Sequence, residues 1–577
     1  MRGTSWRKNL FVLFGLVISA MLTACGPKVA PADLVLRNGK IATVDPAKPE
    51  ARAIAVRDGV IQAVGTDEEI QPYVGPSTKV IDLAGMLAVP GLIDSHGHFM
   101  SLGETKMELD LTHCANWDEI VAMVADAAKK AKQGEFILGR GWHQEKWDKK
   151  PTPNVEGFPI HNSLSKVSPN NPVLLTHASG HATYANAKAM TLAGITRSTP
   201  NPAGGEIMRD AHGNLVGVFR ENAQGLVDKA LAEARRQRTP EEAEANARKV
   251  VELATQDCLS KGITSFYDAS ESFKNIDLFK KLADEGKLDL RLWVMISEGN
   301  KSLESNLAKY RIIDYGNRHL TVRAIKRFMD GALGSRTAWM LEPYTDLPTS
   351  TGINVDSVET ITETARLAME NGFQLCTHAI GDRANREVLN IYEAAFKAHP
   401  DKKDLRWRIE HAQHLNAADI PRFGALGVIA AMQAIHCTSD APYVLARLGS
   451  QRAEEGAYVW QKLMKSGAIV SNGTDTPVED VNPIANFYAA VSRKLKDGTV
   501  FYPDQRMSRA EALKSYTWNA AYSGFEEDMK GSLTPGKLAD ITVLSKDILT
   551  ISEDEIPSTV VKFTIIGGKV MYSKQQR

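Results

Sequence analysis

Between residues 90 and 535 the chain alternates short apolar runs with amphipathic stretches of helical period, the pattern of a parallel α/β fold. Eight runs qualify as strands: Leu92–His96, Gly262–Tyr267, Leu290–Met295, Val322–Phe328, Phe373–His378, Arg406–His411, Val428–Met432 and Ala468–Ser471. Helical periodicity fills the gaps, as at Ile276–Gly286, Val358–Asn371, Arg383–His399 and Gly456–Ser466. Eight such units predict a (β/α)8 TIM-like barrel, an α/β fold. The stretch between the first two strands is too long for a loop and carries its own helix, Trp117–Gln133, and strands, Phe136–Arg140 and Val173–His177. It reads as an inserted lobe at about residues 112–255 of a barrel domain spanning 91–535.

The two ends have a different period. Residues 33–90 hold short alternating runs punctuated by Asn38-Gly39 and Asp58-Gly59, which predict tight hairpins. The far end repeats the style in Asp540–Leu544, Val560–Ile566 and Lys569–Tyr572. One small β-sandwich assembled from residues 33–90 and 536–577 is expected.

The first residues form a separate unit. Arg2, Arg7 and Lys8 precede an apolar run from Leu10 to Leu22 that ends in Leu22-Thr23-Ala24-Cys25. A basic start, an apolar stretch too short to span comfortably and a small residue before the cut predict a signal peptide over residues 1–24. The ending resembles the bacterial lipobox, which implies a lipidated Cys25, a tether over 25–32, and a periplasmic protein held on a membrane surface. The chain has 69 basic and 69 acidic residues; removing residues 1–24 takes away three positive charges and leaves −3. With no net positive charge and no basic run, nucleic-acid binding is excluded. Cys114, Cys258, Cys376 and Cys437 form no CxxC pair, so neither a disulfide framework nor a zinc knuckle is expected.

Candidate chemistry collects at the strand ends. His96 and His98 are two apart on the first strand, so they face the same way and can grip one ion. Thr377-His378 closes the fifth candidate and Glu410-His411 the sixth; Asn472-Gly473-Thr474-Asp475 follows the eighth, and Lys326 lies inside the fourth. Strand C-termini of such a barrel converge on one face, so four His, an Asp and a Lys are expected to meet there.

With those segments in hand, the sequence resembles the amidohydrolase superfamily, in its family-3 branch with the N-substituted formamide deformylases. The resemblance rests on Val89-Pro90-Gly91-Leu92-Ile93-Asp94-Ser95-His96-Gly97-His98, Ile325–Arg336, Thr377–Ala384, Arg408–Gln413, Gly473-Thr474-Asp475 and Gly536–Asp540, and covers residues 33–573. It implies one metal on His96 and His98, a second on His378 and His411, and a CO2-derived carbamate on Lys326 bridging them. Neutral imidazoles suit Zn2+, with two ions expected and one left open. The resemblance also implies Asp475 as a weak ligand that takes a proton from water and passes it to the leaving amine. Arg336, His181, His436 and Trp142 are the expected substrate contacts, Arg336 as a clamp on a carboxylate or carbonyl or else as a structural ion pair.

The expected activity is metal-dependent hydrolysis of a non-peptide C–N bond in a small molecule: an amide, N-acyl or N-formyl group. A deaminase or a lactonase of the same superfamily keeps the metal site and changes the bond. A small-molecule-binding lipoprotein fits less well, having no need of Asp475 opposite an HxH pair. A homo-oligomer stays open.

Overall fold

The computed structural model describes residues 29–574. The signal segment, Cys25 and the start of the tether therefore lie outside the described residues. Eight parallel strands run in sequence order around a nearly closed barrel: β1 (Leu92–Gly97), β2 (Ile263–Glu271), β3 (Arg291–Ile296), β4 (Leu320–Phe328), β5 (Gln374–Ala379), β6 (Arg408–His411), β7 (Ile429–Met432) and β8 (Val470–Asn472). Each lies within a few residues of its expected position. The remaining gap, between β8 and β1, is bridged by the segment that follows β8. The Asp475 amide donates to His96 O at 2.7 Å, and the Thr474 amide donates to Asp94 Oδ1 at 2.9 Å. Gly473 is required there, because a Cβ would sit 2.4 Å from the His96 nitrogen.

Side chains two apart on a strand share a face, and this layers the barrel interior. Ile93, Tyr267, Trp293, Ala324 and Cys376 pack a buried plug. Lys326 and His378 follow Ala324 and Cys376 by two residues and emerge above it on the C-terminal side. The outer helices seal the wall. Val358–Asn371 is capped by Ser357, whose side chain accepts the Thr360 amide. It buries Ile361, Ala365 and Ala368 and stops at Gly372 in the left-handed region (φ 67°).

Both chain ends contribute to one six-stranded sheet, in which Leu87–Pro90 pairs on one side with Lys40–Ala42 and on the other with Ile541–Leu544. A four-stranded sheet from Leu34–Arg37, Ala53–Arg57, Val60–Gly65 and Lys79–Asp82 shares its core through Leu34, Leu36, Ile54 and Val56 against Ile541, Val543 and Ile565. Asp58-Gly59 makes the expected hairpin, with both residues at positive φ. Asn38-Gly39 does not. Its turn carries the chain from the four-stranded sheet to the six-stranded one, since Lys40–Ala42 pairs with Leu87–Pro90 and not with Leu34–Arg37.

The inserted lobe is a six-stranded mixed sheet that includes Ile137–Trp142, Val173–His177, Ala182–Ala185 and Leu215–Glu221, covered by Trp117–Lys130. The following helix, Pro240–Ser260, packs on the barrel instead: Val251, Ala254, Cys258 and Leu259 join the same core as Leu92, Ile263 and Phe266.

Candidate metal and substrate site

The strand ends bring His96, His411 and Asp475 together, with one ligand atom from each lying within 4.8 Å of the others. His98 Nε2 is 3.3 Å from Asp475 Oδ1, and His96 Nε2 is 3.5 Å from the same oxygen. The His378 ring lies 4.5 Å from that of His411, centroid to centroid. Lys326 Nζ is fully buried 4.7 Å over the Phe328 ring. All six candidates thus converge on one face. Two of them, His411 (φ 76°) and Asp475 (φ 56°), sit in the left-handed region, a strained backbone that aims their side chains inward.

Three buried polar atoms here have no hydrogen-bond partner: His96 Nε2, Asp475 Oδ1 and Lys326 Nζ. Unpartnered groups of this kind cost about 1–3 kcal/mol each, so their clustering calls for a ligand. The far side of the rings explains their orientation. Glu410 takes the His96 Nδ1 side, and Gln433 Oε1 accepts from His411 Nδ1 at 2.8 Å, leaving both Nε2 lone pairs facing inward. Arg408 anchors Glu410 through two bonds of 2.7 and 2.8 Å and also donates to Ser95 O. An inward set of imidazole nitrogens with one carboxylate oxygen fits a divalent ion such as zinc.

Electrostatics agree with that donor set. Burial, reinforced by the charge of Lys326, pushes His96 down to about 4, and burial holds His378 and His411 well below the ordinary histidine range. Burial likewise lowers Lys326. Burial opposes ionisation of Asp475, yet the His436 hydrogen bond and the nearby rings of His98, His411 and His96 hold its carboxyl well below the usual range. His436 Nε2 is 3.2 Å from Asp475 Oδ2; against its burial, Asp475 and Glu479 push it up to about 10.

A cavity opens over these groups, lined by His181, His378, His411, His436, Asp475 and Glu479 among others. His181 enters from the lobe, its ring 5.0 Å from His378, with Nδ1 on Glu221 at 2.7 Å. Two expected contacts lie elsewhere. Trp142 is wholly buried in the lobe core, donating to Leu175 O at 2.8 Å, because its strand turns that face inward. Arg336 does not line this cavity; its Nη2 pairs with Asp346 at 3.1 Å, the structural ion pair and not the clamp.

Sequence reasoning gave no role to Glu410, Gln433, Glu479 or Glu221, the groups that hold the inner imidazoles. The first two carried a signal. Arg408 and Glu410 are two apart on β6, and Gln433 directly follows β7, a strand-end position like those of the other candidates.

A family model described as "Amidohydrolase family" matches residues 79–572. The chain is 33% identical over 567 residues to the protein LONG AFTER FAR-RED 3 of Arabidopsis thaliana, covering 96% of this chain and 94% of that one. It is 27% identical over 552 residues to an N-substituted formamide deformylase of Arthrobacter pascens, covering 94% and 98%. Among solved structures, an uncharacterized metal-dependent hydrolase from Pyrococcus horikoshii superposes with TM-score 0.71 at 26% identity, covering 90% of this chain and 99% of that one.

Proposed function

From the premise that this chain belongs to the amidohydrolase family as a metal-dependent hydrolase, we propose that it cleaves a non-peptide C–N bond of a small molecule, in an amide, N-acyl or N-formyl group. The observation that carries this reading is the cluster of unpartnered buried atoms, His96 Nε2, Asp475 Oδ1 and Lys326 Nζ, beneath the cavity. His96 and His98 would hold one ion, and His378 and His411 a second, zinc being the metal the donors favour. A divalent ion supplies polarisation of the scissile carbonyl and a more acidic water.

The protein's own groups do the rest. Asp475, ionised and held by His436, takes a proton from the attacking water as the C–O bond forms. It then delivers that proton to the amine nitrogen as the C–N bond breaks. Lys326, buried without a hydrogen-bond partner, is the residue we assign as a carbamate. Its neutral amine adds to CO2 with loss of a proton, giving an anion that would balance the charge of the divalent ions the neutral imidazoles would hold. His181 and His436 face the substrate.

Metal analysis combined with a hydrolysis screen tests this. N-acyl or N-formyl amines should turn over in the zinc-replete protein, and Asp475→Asn should lower kcat by about 10^2–10^4-fold. Turnover confined to lactones or to ring amines, or binding without turnover, would refute the amide, N-acyl or N-formyl reading.

We also place the protein on the periplasmic side of a membrane, anchored through lipidated Cys25. The segment from Leu10 to Cys25 supports this, and no described helix is long and apolar enough to cross a membrane. Cys25→Ser should move the protein from the membrane fraction to the soluble one.

A further inference from the structure

Arg140 sits on the lobe strand Ile137–Trp142 and faces the barrel. Among the described residues its guanidinium has one acceptor, Ala178 O at 3.2 Å from Nη2; Nε is buried with none, and no carboxylate lies within 4.0 Å. Burial pulls it down only to about 10, so it stays a cation at neutral pH, with Asp475, Glu108 and Glu104 acting on it from beyond contact distance.

The surroundings say where its partner would lie. Arg140 lines a cavity together with His98, Ser179, His181, Gln224 and Phe328. That cavity shares Ser179, His181 and Val478 with the one over the metal ligands and is itself lined by His98, so the guanidinium and one of the expected metal ligands border the same space. Glu221, which also lines it, is paired with His181, and Asp475 belongs to the metal ligands. Arg140 also lines a second cavity, where Glu104, Glu108 and Asp228 outnumber the other cation, Arg235, and make it the less favourable place for an anion.

We propose that Arg140 is a specificity-determining residue that binds a carboxylate on the substrate, at the end remote from the bond that is cleaved. The substrate class is then an N-acyl compound bearing a carboxylate, such as an N-acyl amino acid. Arg140 takes the role the sequence reading assigned to Arg336, which Asp346 has already engaged. A planar guanidinium suits a carboxylate geometrically, and charge-assisted hydrogen bonds are the stronger kind.

This inference rests on the hydrolase reading of the same site, and its test is independent of turnover. The probes are methyl-ketone carboxylates with one to five methylenes between the carbonyl and the carboxylate, each paired with its neutral carboxamide. None has a C–N bond at the reacting carbonyl. Titrated calorimetrically into the zinc-loaded full chain, at least one length should bind about tenfold tighter as the carboxylate. Arg140→Gln should remove that preference while leaving carboxamide affinity within about threefold. As a check that needs no variant, the carboxylate and not the carboxamide should protect Arg140 from phenylglyoxal, read by peptide mass spectrometry. No preference at any length, a preference that survives Arg140→Gln, or absence of protection overturns the proposal. A carboxylate preference in a protein that hydrolyses no N-acyl compound would instead remove the C–N reading and leave Arg140 in place.

Discussion

The barrel rim and the inserted lobe both bury clusters of histidine, and they treat the imidazoles in opposite ways. On the rim, His96 and His411 are held from behind by Glu410 and Gln433, with inward atoms such as His96 Nε2 left unsatisfied. In the lobe, both ring nitrogens of His177 are satisfied, by Ser179 at 2.8 Å and Gln144 at 3.0 Å. A buried polar group without a partner costs free energy, so the rim stores a demand for a ligand that the lobe histidine does not. Burial of a histidine therefore says little by itself, and neither does an unmet nitrogen alone, since buried His414 has both unpartnered outside this cluster; what marks the rim is several unmet ligating atoms gathered at one point. Arg140 is a lobe residue with an unmet atom beside a cavity that reaches the rim.

Substitutions can break this comparison or sharpen it. The largest effect is expected at Lys326. Lys326→Ala should abolish turnover and lower metal content, with partial rescue by a short carboxylic acid; two metals per chain with full activity would undo the carbamate assignment. Next comes Glu410→Gln. Removing the support behind His96 should weaken metal affinity by about 10–100-fold in a chelator competition. It also leaves the fully buried Arg408 without its counterion, which should cost about 3–5 kcal/mol in a denaturant titration. Unchanged metal affinity in this variant would mean that Glu410 only balances Arg408. The smallest effect belongs to the lobe. His177→Phe strands the partners of two hydrogen bonds and should cost about 1–3 kcal/mol of stability with metal content unchanged. Loss of metal there would erase the distinction between rim and lobe.

Much of this arrangement was legible in the chain. Each barrel strand shows as an apolar run of the right length, and a parallel barrel places every such strand's C-terminal residue on one face, so His96, His98, His378, His411 and Asp475 could be grouped without coordinates. Trp142 and Arg336 could not be placed in this way. Trp142 lies on a mixed lobe sheet with both faces covered, so alternation does not say which side meets substrate. Arg336 follows a Gly-rich segment at φ 57°, where chain direction is not set by a repeating pattern, and its partner Asp346 is ten residues on across a loop. Asn38-Gly39 was misassigned for a related reason: a tight turn specifies a reversal, not which sheet receives the next strand.

By itself the sequence determined the period of each segment, hence the barrel, the β-rich ends and the residues delivered to the barrel's C-terminal face, because strand geometry is local and repeats every two residues. Tertiary structure alone decided which polar atoms find partners. Glu410 behind His96, Gln433 behind His411, Asp346 on Arg336 and the single acceptor at Arg140 all depend on groups that the folded chain brings together. Hydrogen-bond satisfaction is a property of the assembled interior, where water can no longer fill an unmet valence.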